Sequence, residues 1–229
     1  MHGSIHAVRR FGSIQVISLI VLFLGSCASL PLVSDSTRVQ VGSLHLNIAE
    51  GNADTIDSGA RIWDAGRCLA SLLGEDEELI GRNVLELGSG TGVGGLSAAA
   101  MGADVLLSDQ SHMMPLLTEN IARNSLAARA SATTLIWGDE WDMKHISDRI
   151  DSFDLICGSD LLYAPHIFPE LLSTLLELST PGVTQLLLTY PTRHTEGIFF
   201  ELADEYFEEL ARQEVDSAIF MSRLRRRAE

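Results

Sequence analysis

The chain has 229 residues and carries 31 Asp and Glu against 16 Lys and Arg, a formal net charge of −15. That length suffices for one α/β domain with a full core. Six of the bases stand near the two ends (Arg9, Arg10, Arg223, Arg225, Arg226 and Arg227), so the body is strongly acidic; it would repel a phosphate backbone, which argues against a nucleic-acid partner and favours a basic protein one.

In chain order, Arg9 and Arg10 precede an apolar run over residues 14–24, followed by small residues to Ser29. This has the pattern of a signal segment or a membrane anchor, and Leu24-Gly-Ser-Cys27 resembles a lipoprotein cleavage box. Residues 1–33 are therefore read as an apolar extension and residues 34–229 as a single domain. Cys27, Cys68 and Cys157 are too scattered for a disulfide framework, and the seven histidines show no ligand spacing. No metal is expected, and a reducing compartment fits. The expected location is cytoplasmic, with residues 14–30 as the segment able to contact a membrane.

Residues 37–49 alternate around Gly42-Ser43 and predict a hairpin. Ser58 is placed to cap a helix over residues 59–73. A buried strand follows at residues 83–87, then a helix over 94–101, a strand over 103–108 and a helix over 111–128. Strands are expected at 132–137 and 153–158, a leucine-rich helix at 167–178 and a strong strand at 183–190. An amphipathic helix over 196–211 and a weak strand over 213–221 close the chain. Strands alternating with helices predict a doubly wound, mostly parallel α/β sheet.

The densest chemistry lies at Val84-Leu-Glu-Leu-Gly-Ser-Gly-Thr-Gly-Val-Gly-Gly95, closed by Leu106-Leu-Ser-Asp109. Gly88, Gly90 and Gly92 allow a sharp turn and close approach of a ligand to the backbone. Asp109, at a strand end, is placed to accept both hydroxyls of a ribose. A dinucleotide fold would show G-x-G-x-x-G directly after the strand, but Val93 stands where the third glycine belongs. Glu86, an acid within an apolar strand, needs a partner. An amine-bearing ligand above the turn would supply one, and a pyrophosphate would be repelled. S-adenosyl-L-methionine brings an amine, a sulfonium and a ribose, and fits better than a dinucleotide.

Ligands of such sheets bind beyond the carboxyl ends of the strands. The candidate positions are Gly88 to Gly90, Asp109, Trp137-Gly-Asp139, Ser159-Asp-Leu-Leu-Tyr163 and Thr189 to His194. Trp137 either lies against an adenine or caps the core. Asp160 and Tyr163 are either site groups or a helix cap with a rim aromatic.

Taken together, Trp63-Asp-Ala, Glu86-Leu-Gly-Ser-Gly-Thr-Gly92, Asp109, Trp137-Gly138 and Phe153-Asp-Leu-Ile-Cys-Gly-Ser-Asp-Leu-Leu-Tyr163 resemble the methyltransferase-like 21 group of protein-lysine methyltransferases, methyltransferase family 16. The match runs from about Val39 to about Phe207. The resemblance implies a class I, Rossmann-like, seven-strand S-adenosylmethionine-dependent methyltransferase acting on a lysine amine of a protein. It implies that Trp63, Gly88, Ser89, Gly90, Asp109, Trp137 and Ser159 line the cofactor pocket, and Glu86 is assigned to the same side. Asp160 and Tyr163 would border the substrate channel as the catalytic pair. The family ends in a strand hairpin, for which the segment after Ala211 looks short. A small-molecule methyltransferase and a non-catalytic cofactor-binding module are the competing readings.

Overall fold

The computed structural model describes residues 35–51 and 58–228. The extension expected over residues 1–33 lies outside the described residues. Among the described residues, no helix is long and apolar enough to cross a membrane.

The sheet is organised by its most apolar strand. β3 (Asn83–Leu87) is buried from Val84 onward. β4 (Asp104–Asp109) and β6 (Leu155–Ser159) pair with it on either side, both parallel. β5 (Ala130–Thr134) extends the sheet beyond β4, and β7 (Gln185–Pro191) extends it beyond β6, again parallel. Burial of both faces is what a parallel sheet requires. β8 (Phe207–Asp216) and β9 (Ile219–Arg226) close the far edge antiparallel, giving the order β5-β4-β3-β6-β7-β9-β8.

Successive side chains of β3 point to opposite faces. Val84 joins a core layer with Leu69 and Leu73 of α1 (Asp64–Leu73), Leu96 of α2 (Val93–Ala100), and Leu117 and Ile121 of α3 (Met114–Arg123). Leu85 and Leu87 join the opposite layer with α4 (Glu140–Ser147), α5 (Phe168–Leu178) and α6 (Glu196–Ala203). The layer over Leu85 includes a cluster of aromatic rings, with Phe168 and Phe199 edge to face at 5.7 Å between centroids.

The expected N-terminal hairpin is present as β1 (Asp35–Val41) and β2 (Leu44–Glu50), a separate two-stranded sheet. Its turn falls at Gly42, whose φ of +53° is a glycine conformation. It docks through Asn120 of α3, which is fully buried. The Asn120 amide donates to the carbonyls of Ala49 and Thr91 at 3.0 and 2.9 Å and accepts from Ala49 N–H at 2.7 Å. One side chain thus ties the hairpin to the glycine turn.

Several boundaries differ from the sequence expectation. α1 begins at Asp64, not near residue 59, because Ser58–Ala60 form a separate 3-10 turn and Trp63 occupies the extended N-cap position. The segment at residues 111–113 is likewise a 3-10 turn ahead of α3. α4 was not foreseen: it buries only Met143 and Ile146 and is started by Asp139, whose carboxylate accepts from Asp142 N–H at 2.9 Å. The helix expected to run to Ala211 stops at Ala203, and the chain continues as a complete two-strand hairpin. β8 is an edge strand, exposed at nearly every position beyond Phe207, so it has no period-two pattern to read. The C-terminal arginines are not a free tail. Arg223, Arg225 and Arg226 belong to β9, and the Arg226 guanidinium lies over Tyr206 and Phe207.

Replacing Asn120 with Ala strands the buried Ala49 N–H and two carbonyls, so a loss of about 2–4 kcal/mol is expected in urea denaturation. A loss below about 0.5 kcal/mol would show that the hairpin does not depend on this residue.

Candidate active site

A cavity of about 520 Å³ opens over the carboxyl ends of β3, β4, β6 and β7. Trp63, Gly88, Ser89, Gly90, Asp109, Trp137, Ser159, Asp160 and Tyr163, nine of the ten residues singled out from the sequence, line it.

Its floor is the glycine turn between β3 and α2. Gly88, Gly90 and Gly92 have φ values of +55°, +55° and +78°. A Cβ on Gly90 would stand 2.5 Å from the Gly59 carbonyl oxygen, and one on Gly88 would stand 2.9 Å from Leu161 and 3.3 Å from Trp137. The turn therefore requires glycine twice over, by conformation and by space. Ser89 braces it, with its hydroxyl donating to the Glu86 carbonyl at 3.0 Å and accepting from Ser108 N–H at 3.0 Å.

Asp109 ends β4 beside this turn. Its carboxylate accepts from Gly90 N–H and from Gln110 N–H, each at 2.7 Å. These two bonds fix the group at the edge of the cavity. Trp137 is partly buried and packs on the core layer of α4 and α5, so it caps the core and walls the cavity at once. Trp63 is 50 % exposed, with its indole N–H donating to the Ser58 carbonyl at 2.9 Å. Ser159 lies under α1, where a Cβ on Gly66 would come within 3.4 Å of its hydroxyl.

Glu86 is the exception. It is 2 % exposed and absent from the cavity wall. Its carboxylate turns beneath α2 and accepts from Gly95 N–H at 3.0 Å. A Cβ on Gly94 would stand 2.4 Å from Glu86 Oε1. The expected amine-bearing ligand is not what accommodates this acid. Burial lifts its pKa to about 8, against the lowering effect of the Gly95 and Ser89 hydrogen bonds.

The acceptor-side candidates stand on the neighbouring strand. Asp160 follows β6 with φ +57°, a left-handed conformation unusual for a residue with a side chain. Its Oδ2 accepts from Arg193 Nη2 at 2.9 Å. Burial raises the Asp160 pKa and the Arg193 cation opposes that. Tyr163 is 56 % exposed at the cavity rim. Sequence reasoning placed Thr189 to His194 at a strand end but did not single out Arg193, because its pairing with Asp160 joins two loops that no local spacing connects. Glu170 of α5 and Ile136 also line the cavity and carried no sequence signal.

A family model described as lysine methyltransferase matches residues 41–210. The chain belongs to the lysine methyltransferase family. It is 30 % identical over 199 residues to EEF1A lysine methyltransferase 3 of Mus musculus, covering 85 % of this chain and 84 % of the relative. It is 32 % identical over 219 residues to protein N-lysine methyltransferase METTL21A of Xenopus tropicalis, covering 90 % and 92 %. Its fold matches the magnesium protoporphyrin IX methyltransferase of Synechocystis with bound SAM at a TM-score of 0.54 and 19 % identity, covering 78 % of this chain and 86 % of that one. The enzyme is an S-adenosyl-L-methionine-dependent lysine methyltransferase with a class I fold.

The chain's own residues fit that cofactor. The glycine turn leaves open a cradle that a Cβ would fill, and the carboxylate at the end of β4 suits a ribose. Glu86 contributes from below, by seating α2. Its folded pKa lies above its unfolded value, so the stability tied to its protonation is complete below about pH 4.5 and is lost as pH rises through about 8. Glu86→Gln is therefore expected to flatten the fall in unfolding free energy across that window. An unchanged slope in denaturation curves from about pH 5 to about pH 8 would show that Glu86 is already ionised when buried.

Proposed function

We propose that the enzyme methylates a lysine side chain within a basic segment of a protein, with Asp160 and Tyr163 on the acceptor side. Trp63, Gly88, Ser89, Gly90, Asp109, Trp137 and Ser159 hold the cofactor, and Glu86 seats the helix beneath them. The observation that carries this reading is the sharing of one cavity by the glycine cradle and the Asp160–Tyr163 loop. The same reading takes residues 34–229 as one methyltransferase domain, acting in the cytoplasm.

The relatives' names give proteins as acceptors, EEF1A in one case. We carry over the acceptor class alone. Preference for a basic segment rests on the net charge of −15.

When bound, S-adenosyl-L-methionine supplies a sulfonium-activated methyl carbon: the amine nitrogen forms the new N–C bond, and the electron pair of the C–S bond goes to sulfur. The protein's work is alignment and exclusion of water. A lysine amine has an unperturbed pKa of about 10.4 and must lose a proton first. Tyr163 provides an aromatic wall that strips water from the ammonium and favours its neutral form. Asp160 orients the amine. It is a poor candidate for base catalysis, because a carboxylate beside an ammonium favours the ammonium's charged form.

Incubating the full chain with methyl-labelled S-adenosyl-L-methionine and a cell extract is expected to put label into protein, in a form lost when lysines are blocked beforehand. Label confined to small molecules would overturn the protein acceptor, and cofactor binding with no transfer would overturn catalysis. Asp160→Ala is expected to abolish transfer while cofactor affinity survives; near-normal turnover removes Asp160 from the mechanism.

Asp109→Ala is expected to weaken cofactor binding by about 10- to 100-fold, the range of a lost hydrogen bond to a charged group. Unchanged affinity by calorimetry refutes the ribose assignment.

A further inference from the structure

The loop after β6 is fastened three times, once to β7 itself and twice to the loop that follows β7. Asp160 N–H donates to the Thr189 carbonyl at 2.7 Å, the Thr195 hydroxyl donates to the Leu162 carbonyl at 3.1 Å, and Arg193 pairs with Asp160 at 2.9 Å. Arg193 is also held from behind. Its own N–H donates to Glu196 Oε2 at 3.1 Å, and the preceding Thr192 N–H donates to the carbonyl of Ala218 at 3.1 Å. Ala218 sits in the turn between β8 and β9, so the C-terminal hairpin sets where the Arg193 loop begins.

Asp160 itself carries strain. A left-handed φ of +57° is unfavourable for a non-glycine residue and persists only where the surroundings enforce it. Its two oxygens are treated differently. Oδ2 is engaged by Arg193, whereas Oδ1 is buried and has no hydrogen-bond partner among the described residues. Both side chains line the cavity. A buried carboxylate oxygen without a donor is costly, and a donor entering the cavity would relieve it.

We propose that Arg193 is a positioning residue that engages the Asp160 carboxylate through Oδ2 and so leaves Oδ1 for the incoming lysine amine, and whose guanidinium balances the charge that would otherwise keep that amine protonated. The proposal rests on the reading of this cavity as a lysine-acceptor site. An isolated carboxylate would bind the ammonium well and then resist its deprotonation. The Arg193–Asp160 pair is close to neutral, so Oδ1 can align the amine by accepting a hydrogen bond without stabilising a full positive charge. The ammonium proton leaves to solvent before the N–C bond forms, and neither member of the pair takes it. Arg193 also counters the burial that would protonate Asp160.

Charged neighbours do not duplicate this role. On the cavity wall Arg61 precedes α1, Asp109 ends β4, Tyr163 follows β6 and Glu170 lies on α5. Glu196 of α6 binds the Arg193 backbone, and His194 is next in sequence. Of these groups, Arg193 alone forms an ion pair with Asp160.

The test compares wild-type full-length protein with Arg193→Gln and Arg193→Lys. Initial rates of label transfer to extract lysines are followed from about pH 6.5 to about pH 9.5, below the free amine's pKa. In parallel, the carboxyl carbon-13 signal of Asp160, assigned with Asp160→Asn, is titrated in cofactor-loaded protein without acceptor. Arg193→Gln is expected to be about tenfold slower near pH 7 and to regain rate as pH rises, as for an amine whose pKa is raised by about one unit. Its Asp160 signal should titrate at higher pH, and Arg193→Lys should restore both. A loss uniform across pH, superimposable profiles or an unmoved Asp160 titration would overturn the proposal. Loss of cofactor affinity in both variants would place Arg193 on the cofactor side and also overturn it. A wild-type enzyme that labels no lysine would overturn the acceptor-site reading itself, whereas lysine labelling with superimposable profiles overturns this inference alone.

Discussion

The site depends on how closely α2 approaches β3, and a buried acid governs that approach. Glu86 points to the α2 face of the sheet, where Gly94 and Gly95 leave room for its carboxylate. A Cβ on Gly95 would also strike Leu107, at 2.4 Å. With both glycines in place the first turn of α2 sits directly on the strand, and Gly95 N–H caps the acid. The short chain between β3 and α2 is then crowded enough that its three left-handed positions, 88, 90 and 92, take glycine. The cradle above is a consequence of the contact below.

A second constraint couples the cradle to the fold's periphery. The Gly59 carbonyl closes over Gly90, and Asn120 joins Thr91 to Ala49 of the hairpin. The hairpin is thus braced against the same loop that floors the cavity. Removing its anchor is expected to cost stability and also to loosen the turn, because the Thr91 carbonyl and the Ala49 amide share one side chain.

The glycine side of the cavity was legible in the sequence because that side is local. Gly88, Ser89, Gly90 and Asp109 fall within one strand–helix–strand unit, where strand ends and glycine spacing map directly onto geometry. Trp137, Ser159 and Asp160 followed from the rule that ligands sit beyond strand ends. Glu86 was recognised as anomalous, yet its partner proved to be backbone, a close approach that spacing alone does not reveal. α4 was missed because only two of its residues are buried, and the first half of β8 was taken for helix because an exposed edge strand follows no burial period.

The opposite side of the cavity is built differently. Asp160 and Arg193 are separated by 33 residues and belong to two loops. What brings them together is the parallel pairing of β6 and β7, in which Ser159 lies opposite Thr189, and the turn of the C-terminal hairpin behind Thr192. The glycine turn has no such dependence on the C-terminal hairpin. Changes in β8 or β9 can therefore reposition the Asp160 carboxylate while the glycine turn stays fixed by Glu86, Asp109 and Asn120. On this architecture a shift of the sheet's antiparallel edge moves one side of the cavity and leaves the other in place.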